Sequence, residues 1–293
     1  MMGSGTFSSS AYRDYASSMG RSYDSSTGRS SGQVFHARRI DKSLDPRLFQ
    51  KRECANSEEH PNTIPVILAL DVTGSMGEAC QETAEALGTI MMDLFDKFQD
   101  IEFCIMGIGD LAYDDAPIQM SQFESDVRIA EALDKVYMEK GGGGNGYESY
   151  TSAWYMGLHR TKLDCYDLQG RKGIIITMGD EPLNPYLPVY ELNRAIKGNE
   201  EDRSKGVETS VLFKEASKKF NIFHIAVDSP KSSFDYYKDR IENSFGQILG
   251  DKLRISTIQE LPKTIVNCIS EAIQDDRGAV TSPTPSNPGE ISW

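Results

Sequence analysis

The stretch that decides the fold lies at residues 64–76 and reads IPVILALDVTGSM. Its first seven residues are apolar, which is typical of a strand with both faces covered. The residues after them place one carboxylate and two hydroxyls at alternate positions, on Asp71, Thr73 and Ser75. In open α/β sheets ligands bind at the carboxyl ends of the strands, where these three side chains are expected. Three hard oxygen donors on a tight turn suit a small, hard cation such as Mg²⁺ or Mn²⁺.

Strand and helix patterns alternate along the rest of the chain. Apolar runs predict further strands at residues 101–109, 117–123, 173–177, 221–227 and 253–255. Apolar residues at helical spacing predict helices at residues 76–98, 125–138, 147–160, 207–219, 235–246 and 258–273. This alternation predicts a three-layer α/β fold, in which a mostly parallel, Rossmann-like central sheet carries helices on both faces.

Composition divides the chain into four segments. Residues 1–33 are rich in Ser and Gly, and they predict a disordered arm because such a segment buries too little apolar surface to offset its ordering. Residues 34–60 show no clear period and are expected to form an N-terminal extension. Residues 61–275 are expected to form the α/β domain. The Pro-rich residues 276–293 are expected to be a flexible tail.

Charge and hydropathy argue against several classes of partner. The 293 residues carry a formal net charge of -13 and no Lys/Arg-rich run, so we expect no binding to nucleic acid or an anionic membrane surface. No apolar run reaches the roughly 18 residues of a membrane span, and no secretory signal pattern is present. The five cysteines are scattered, which argues against a disulfide framework or a zinc site. A reducing, cytoplasmic location is therefore expected.

The run Asp71-Val72-Thr73-Gly74-Ser75 resembles the DxSxS signature of the von Willebrand factor A (vWA) domain, with threonine at the first serine position. The resemblance covers most of residues 62–275, including the order of the predicted strands and helices. It implies the vWA fold and a metal-ion-dependent adhesion site (MIDAS). In that family, the open position of the metal accepts an acidic side chain of a partner.

The resemblance implies two further loops at the metal. In residues 141–149 (GGGGNGYES), Asn145 matches a position at which some family members carry Asp, and Glu148 and Ser149 are alternative donors. Residues 177–181 (TMGDE) stand where the family usually has Thr-Asp-Gly, so the acid Asp180 arrives two residues late. We expect Asp180 to contact the metal through water. The predicted metal-binding residues are Asp71, Thr73, Ser75, Asn145 and Asp180.

The same residues have simpler structural explanations. Asp71 or Ser75 would suit the cap of the helix predicted to begin near residue 76, but capping does not account for three oxygens at spacing two. The glycine run would serve as a flexible connection, and no Gly-Lys-Ser/Thr follows to complete a phosphate-binding loop. Three acids after the second predicted strand are either solvated loop residues or an acidic rim of the site: Asp110, Asp114 and Asp115.

Two classes of function account for the site residues. The first is a non-enzymatic, metal-dependent module that docks an Asp or Glu of a protein partner, as an intracellular scaffold or adaptor. The alternative is a serine hydrolase, because residues 73–77 (TGSMG) differ from the GxSxG nucleophile elbow only at the first position. The order Ser75, Asp180, His224 also matches that class.

Three observations argue against enzymatic functions. For the hydrolase, Thr73 replaces the glycine that the strained turn needs, and His224 falls within a predicted strand. A phosphohydrolase with Asp71 as nucleophile needs a second acid two residues later, where this chain has Thr73. The sequence therefore favours the binding module.

Overall fold

The structure is a computed structural model that describes residues 6–19, 22–24, 29–31, 37–76, 79–83, 94–95, 97–98, 100–139, 146–196 and 206–280. The strands are β1 (Ser22–Asp24), β2 (Arg29–Ser31), β3 (Arg52–Cys54), β4 (Ile64–Asp71), β5 (Ile101–Ile108), β6 (Ile118–Met120), β7 (Thr161–Leu163), β8 (Gly173–Gly179), β9 (Tyr186–Leu187), β10 (Val207–Glu208), β11 (Phe220–Asp228) and β12 (Leu253–Thr257). The helices with defined bounds are α1 (Ser9–Ser18), α2 (Arg128–Asp134), α3 (Thr151–Arg160), α4 (Asp164–Asp167), α5 (Val189–Ala195), α6 (Thr209–Lys219), α7 (Phe234–Leu249) and α8 (Leu261–Val280).

Six of these strands form the central sheet, in the order β12-β11-β8-β4-β5-β6. The first five run parallel, and β6 pairs with β5 in the antiparallel direction at one edge. Strands β5 and β8 are buried at every residue, and β4 is buried at every residue except its first. The sheet therefore confirms the mostly parallel, Rossmann-like α/β fold that the alternating sequence pattern predicts.

The hydrophobic core lies on both faces of the sheet. Successive strand residues point to opposite faces, so Val66 and Leu68 belong to one apolar cluster while Ile67 and Ala69 belong to the other. Helices α2 and α8 pack on the first face, and helices α3, α6 and α7 pack on the second. These three layers leave the carboxyl ends of the parallel strands as one common edge.

The N-terminal segment differs in part from the expected disordered arm. Within residues 1–33 the structure has the helix α1 and the antiparallel β1–β2 hairpin. The Ser8 hydroxyl caps α1 by accepting a hydrogen bond from Ala11 N at 3.1 Å, and Tyr12 and Ala16 are buried. Two apolar residues four positions apart share one helix face, and overall composition does not register such a pair. Residues 9–18 therefore form a capped helix in the structure, where the composition predicts disorder.

Other predicted boundaries shift by a few residues or lie outside the described part. Helix α8 continues to Val280, beyond the predicted domain end at residue 275, and the tail from residue 281 is outside the described residues. Of the helix predicted at residues 76–98, residues 79–83, 94–95 and 97 are helical. In the extension, β3 pairs with β7 and Arg52 donates to the Met120 carbonyl at 2.7 Å. The domain boundaries themselves stay a prediction.

All five cysteines are buried free thiols: Cys54, Cys80, Cys104, Cys165 and Cys268. Within the described ranges, no helix combines the length and the apolar character that crossing a lipid bilayer requires.

Candidate functional site

The candidate site lies where β4 and β8 end. Asp71 is the last residue of β4, and Asp180 directly follows β8. Because β4 and β8 are neighbouring parallel strands, their carboxyl ends meet at the same edge of the sheet. The structure brings the two loops together, with Ser75 Oγ 3.4 Å from Asp180 Oδ1. Four of the five predicted metal-binding residues thus share one place, and the fifth, Asn145, lies outside the described residues.

The turn after β4 folds its three oxygen-bearing side chains against one another. Both the backbone N–H and the hydroxyl of Thr73 donate to Asp71 Oδ1, at 2.9 and 2.7 Å. The Thr73 and Ser75 hydroxyl oxygens are 2.9 Å apart. Asp71 and Thr73 are fully buried. The alternation of carboxylate and hydroxyls therefore places three oxygens on a single compact turn.

The beginning of α7 holds Asp180. The N–H of Ser233, the residue before α7, donates to Asp180 Oδ2 at 2.5 Å, and the Ser233 hydroxyl lies 3.4 Å from the Ser75 carbonyl oxygen. The positive end of the helix dipole favours a negative charge at this position. A third loop, which follows β11, thereby fixes the orientation of the predicted ligand.

Burial makes the carboxylates of the site costly to ionise. Burial is the largest cause that raises the pKa of Asp71 to about 7, and the charge of Asp180 adds to it. Burial likewise raises the pKa of Asp180 to about 6 and that of Glu181 to about 7. Neither Asp71 nor Asp180 forms an ion pair with any residue that the structure describes. The site therefore concentrates negative charge that the described residues do not neutralise.

Glu148 adds a further buried acid beside this group. Its side chain is 2% exposed, and its Oε2 atom has no hydrogen-bond partner among the described residues. Burial raises the pKa of Glu148 well above its ordinary value, and the charges of Asp71 and Glu181 contribute. The other alternative donor, Ser149, accepts a hydrogen bond from Leu111 N at 3.1 Å. Of the two alternatives, Glu148 is the one with a free oxygen.

The oxygen donors of the site suit a hard cation that is bound by both carboxylates and hydroxyls. Across the part of the chain that the structure describes, no three His, Cys, Asp or Glu side chains are grouped to hold a metal. A cation at this edge would therefore depend on the hydroxyls of Thr73 and Ser75 as well as on Asp71 and Asp180. All of these are oxygen ligands, which Mg²⁺ and Mn²⁺ prefer.

The acids after β5 have local structural roles. Asp114 Oδ2 accepts a hydrogen bond from Asp110 N at 2.7 Å, and Asp110 Oδ1 accepts one from Ala112 N at 2.7 Å. Burial raises the pKa of Asp114 to about 7. Asp115 is exposed. Asp110 and Asp114 therefore stabilise their own turn and add negative charge near Glu148. Asp110 is buried and Asp114 half-buried, so the explanation as solvated loop residues suits only Asp115.

Tyr150 is the site residue that sequence reasoning missed. Its hydroxyl donates to Asp71 Oδ2 at 2.8 Å, and the side chain is fully buried at the beginning of α3. A tyrosine within an apolar helical pattern suggests only a core residue. The one signal in the sequence is Gly179, which stands directly before Asp180 and leaves room for the Tyr150 hydroxyl.

His224 lies in the core beneath the site. Its Nδ1 atom is 2.9 Å from Thr177 Oγ1, and its ring stacks on Phe245 with 3.6 Å between centroids. Burial lowers the pKa of His224 to about 3, so the imidazole is neutral. The strand position predicted for this histidine is confirmed, because it lies within β11.

Comparisons with known proteins support the fold. No protein-family model and no curated protein matches the sequence. The pilus adhesin SpaC from Lactobacillus rhamnosus GG, in its open conformation, is similar with a TM-score of 0.51 and 11% identity over 75% of this chain and 31% of the adhesin. This chain thus spans about a third of the adhesin's length, and at this identity the likeness is one of fold.

Two shorter structures are similar at lower TM-scores. They are the vWF domain of the type V pili tip protein Mfa5 from Porphyromonas gingivalis (TM-score 0.43, 10% identity, 78% of this chain and 98% of that one) and the SpRpn10 VWA domain (0.40, 12%, 78% and 100%). The sheet order and the three layers described above are those of a Rossmann-like α/β fold.

Proposed function

We propose that this protein is a metal-dependent protein-binding module that docks an acidic residue of a partner, as an intracellular scaffold or adaptor. The observation that carries the proposal is the group of buried Asp71, Thr73 and Asp180 with half-buried Ser75, in which two carboxylates and two hydroxyls meet without an ion-pair partner among the described residues. Buried charges without a partner are costly, and a bound cation is one of the few ways to offset them.

The residues of the proposed MIDAS-type site have distinct roles. Asp71 and Asp180 would supply negative charge, and Thr73 and Ser75 would supply neutral oxygens. Asn145 remains a predicted ligand whose amide oxygen adds no charge. A bound Mg²⁺ or Mn²⁺ supplies a positive charge and an open coordination position to which a carboxylate can bind.

The chemistry of the site selects the partner. With Asp71 as the one direct carboxylate and Asp180 acting through water, the groups in contact with a divalent cation would leave part of its charge uncompensated, and this favours an incoming Asp or Glu. The whole chain carries a net charge of -13, so its long-range field repels acidic partners. We therefore infer that the partner presents one accessible acidic residue on a surface that is not strongly acidic overall.

The serine hydrolase alternative lacks a histidine base beside its nucleophile. The hydrogen bonds of Ser75 Oγ go to Thr73 and Asp180. His224 is committed to Thr177 and to the Phe245 ring, and a pKa of about 3 makes it a weak base. General-base activation requires hydrogen-bond reach between base and nucleophile, so these contacts argue against the triad.

A pull-down experiment tests the proposal. Wild-type protein, Asp71→Ala and the matched control Asp115→Ala are used as baits, each with Mg²⁺ and with EDTA. We expect a set of partners that both Asp71→Ala and EDTA remove and that Asp115→Ala retains, because Asp115 is an exposed acid on the same edge. If EDTA releases no partner from any bait, and Asp71→Ala retains every partner of the wild type, the proposal is contradicted.

A further inference from the structure

We propose that Tyr150 is a positioning residue for the metal site, because its hydroxyl fixes the Asp71 carboxylate in the orientation that metal binding needs. This inference rests on the proposed function and adds a residue that the sequence pattern does not indicate. The Tyr150 hydroxyl donates to Asp71 Oδ2 at 2.8 Å and lies 3.4 Å from the backbone N–H of Glu181, which donates to it. One hydroxyl thus joins the loop after β4 to the loop after β8.

The hydrogen bonds on Asp71 leave its carboxylate one orientation. Two donors from Thr73 occupy Oδ1, and the Tyr150 hydroxyl occupies Oδ2. An ionised carboxylate offers about four lone-pair positions, so one position on Oδ2 remains. Asp71 can therefore form one further contact, whether to a cation directly or through a water. Without Tyr150, Oδ2 loses its only protein partner among the described residues.

The tyrosine ring is held rigidly enough to act as a support. It is fully buried and packs edge-on against the rings of His224 and Phe245, with centroid distances of 4.9 and 5.5 Å. A side chain locked by packing can hold a ligand in place in a way that a mobile one cannot. The His224 and Phe245 rings thus have a role at the site although neither is hydrogen-bonded to a predicted ligand.

Gly179 supplies the space that this arrangement needs. A Cβ atom at position 179 would overlap the Tyr150 hydroxyl and approach Asp71 Cβ to 2.9 Å. This close approach gives a physical reason for the glycine directly before Asp180. The tyrosine and the glycine therefore form one unit.

The test compares Tyr150→Phe with wild type and with Tyr166→Phe. Tyr150→Phe keeps the ring and its packing and removes only the hydroxyl. Tyr166 lies on α4, before β8 and hence at the opposite edge of the sheet, and its hydroxyl has no partner among the described residues, so Tyr166→Phe is a matched control. Calorimetric titrations with Mg²⁺ and with Ca²⁺ give the affinities, and melting of the EDTA-treated proteins verifies that all three fold.

We expect Tyr150→Phe to bind Mg²⁺ about tenfold or more weakly, because removal of a group that orients a ligand typically costs 10- to 100-fold in metal affinity. Ca²⁺ tolerates irregular coordination better than Mg²⁺, so its affinity should fall less and the Mg²⁺/Ca²⁺ preference should shift. Loss of packing alone would not change that preference. The rise in melting temperature produced by Mg²⁺ provides a second readout and should be smaller in Tyr150→Phe.

The outcomes separate this inference from the function on which it rests. If wild type binds Mg²⁺ and Tyr150→Phe binds it equally well, Tyr150 is a core residue only and the inference is overturned while the proposed function stands. An equal loss for Mg²⁺ and Ca²⁺ would overturn it as well. If wild type binds no divalent cation, the proposed function itself fails.

Discussion

Asp180→Asn removes one buried charge from the site and keeps the shape of the side chain. The amide oxygen can accept the hydrogen bond from Ser233 N, and the amide nitrogen can donate to Ser75 Oγ, so both contacts of the carboxylate have replacements. The substitution therefore isolates the cost of the charge. We expect it to stabilise the metal-free protein and to weaken metal binding.

The size of the stabilisation follows from the pKa of Asp180. Burial raises that pKa from 3.8 to about 6 in the folded protein. Stability that is present below pH 3.8 is therefore lost progressively as the pH rises towards 6 and stays lost at higher pH. The full difference between these two pKa values corresponds to a loss of about 3 kcal/mol in the free energy of unfolding at pH 8. Because part of the effect is repulsion by the neighbouring Glu181, we expect Asp180→Asn to raise the free energy of unfolding by about 1 to 3 kcal/mol.

Urea unfolding of both proteins measures this difference. In EDTA at pH 8, Asp180→Asn should be the more stable protein, and at pH 4 the two should be nearly equal. Adding Mg²⁺ at about 100 times its Kd should raise the stability of wild type by about 2.7 kcal/mol and that of Asp180→Asn by much less. If Asp180→Asn is no more stable than wild type in EDTA at pH 8, the reasoning about uncompensated charge is refuted.

Two further substitutions test other parts of the site. Gly179→Ala should lower the free energy of unfolding by about 1 to 3 kcal/mol, because the added Cβ overlaps the Tyr150 hydroxyl; urea unfolding in EDTA equal to wild type would show that the space is not needed. His224→Gln should remove one source of acid sensitivity. Because the pKa of His224 is about 3 in the folded protein and 6.5 ordinarily, wild type should lose about 2 kcal/mol of its free energy of unfolding through this residue as the pH falls from 7 to 5. The stability difference between wild type and His224→Gln should change by that amount over this range, and a constant difference would mean that His224 is not buried in its neutral form.

Much of the fold is predictable because buried parallel strands are apolar throughout. Strands β4, β5, β8 and β11 are recognised from such runs, which need no knowledge of their neighbours. Short elements cannot be recognised from apolar runs in this way. Helix α1 lies in a Ser-rich segment, and its burial depends on contacts made after folding, such as the stacking of Phe7 on Phe95 at 4.8 Å. Local composition carries no information about such contacts.

The residues of the site likewise divide into those that the local sequence predicts and those that it does not. Asp71, Thr73 and Ser75 follow from their spacing after a buried strand, and the structure places Asp180 beside Ser75 as neighbouring parallel strands require. Tyr150 and the unpaired oxygen of Glu148 are not predictable from local pattern, because both depend on how α3 and the preceding residues pack against β4 and β8. Supporting residues of a site are set by tertiary contacts, and sequence spacing does not encode those contacts.

The most direct test of the central claim is the stoichiometry of Mn²⁺ binding, measured by electron paramagnetic resonance of the free ion. The claim predicts one Mn²⁺ per wild-type chain, displaced by Mg²⁺, and no binding at that site in Asp71→Ala. Equal binding by wild type and Asp71→Ala, or no binding by wild type, would contradict it.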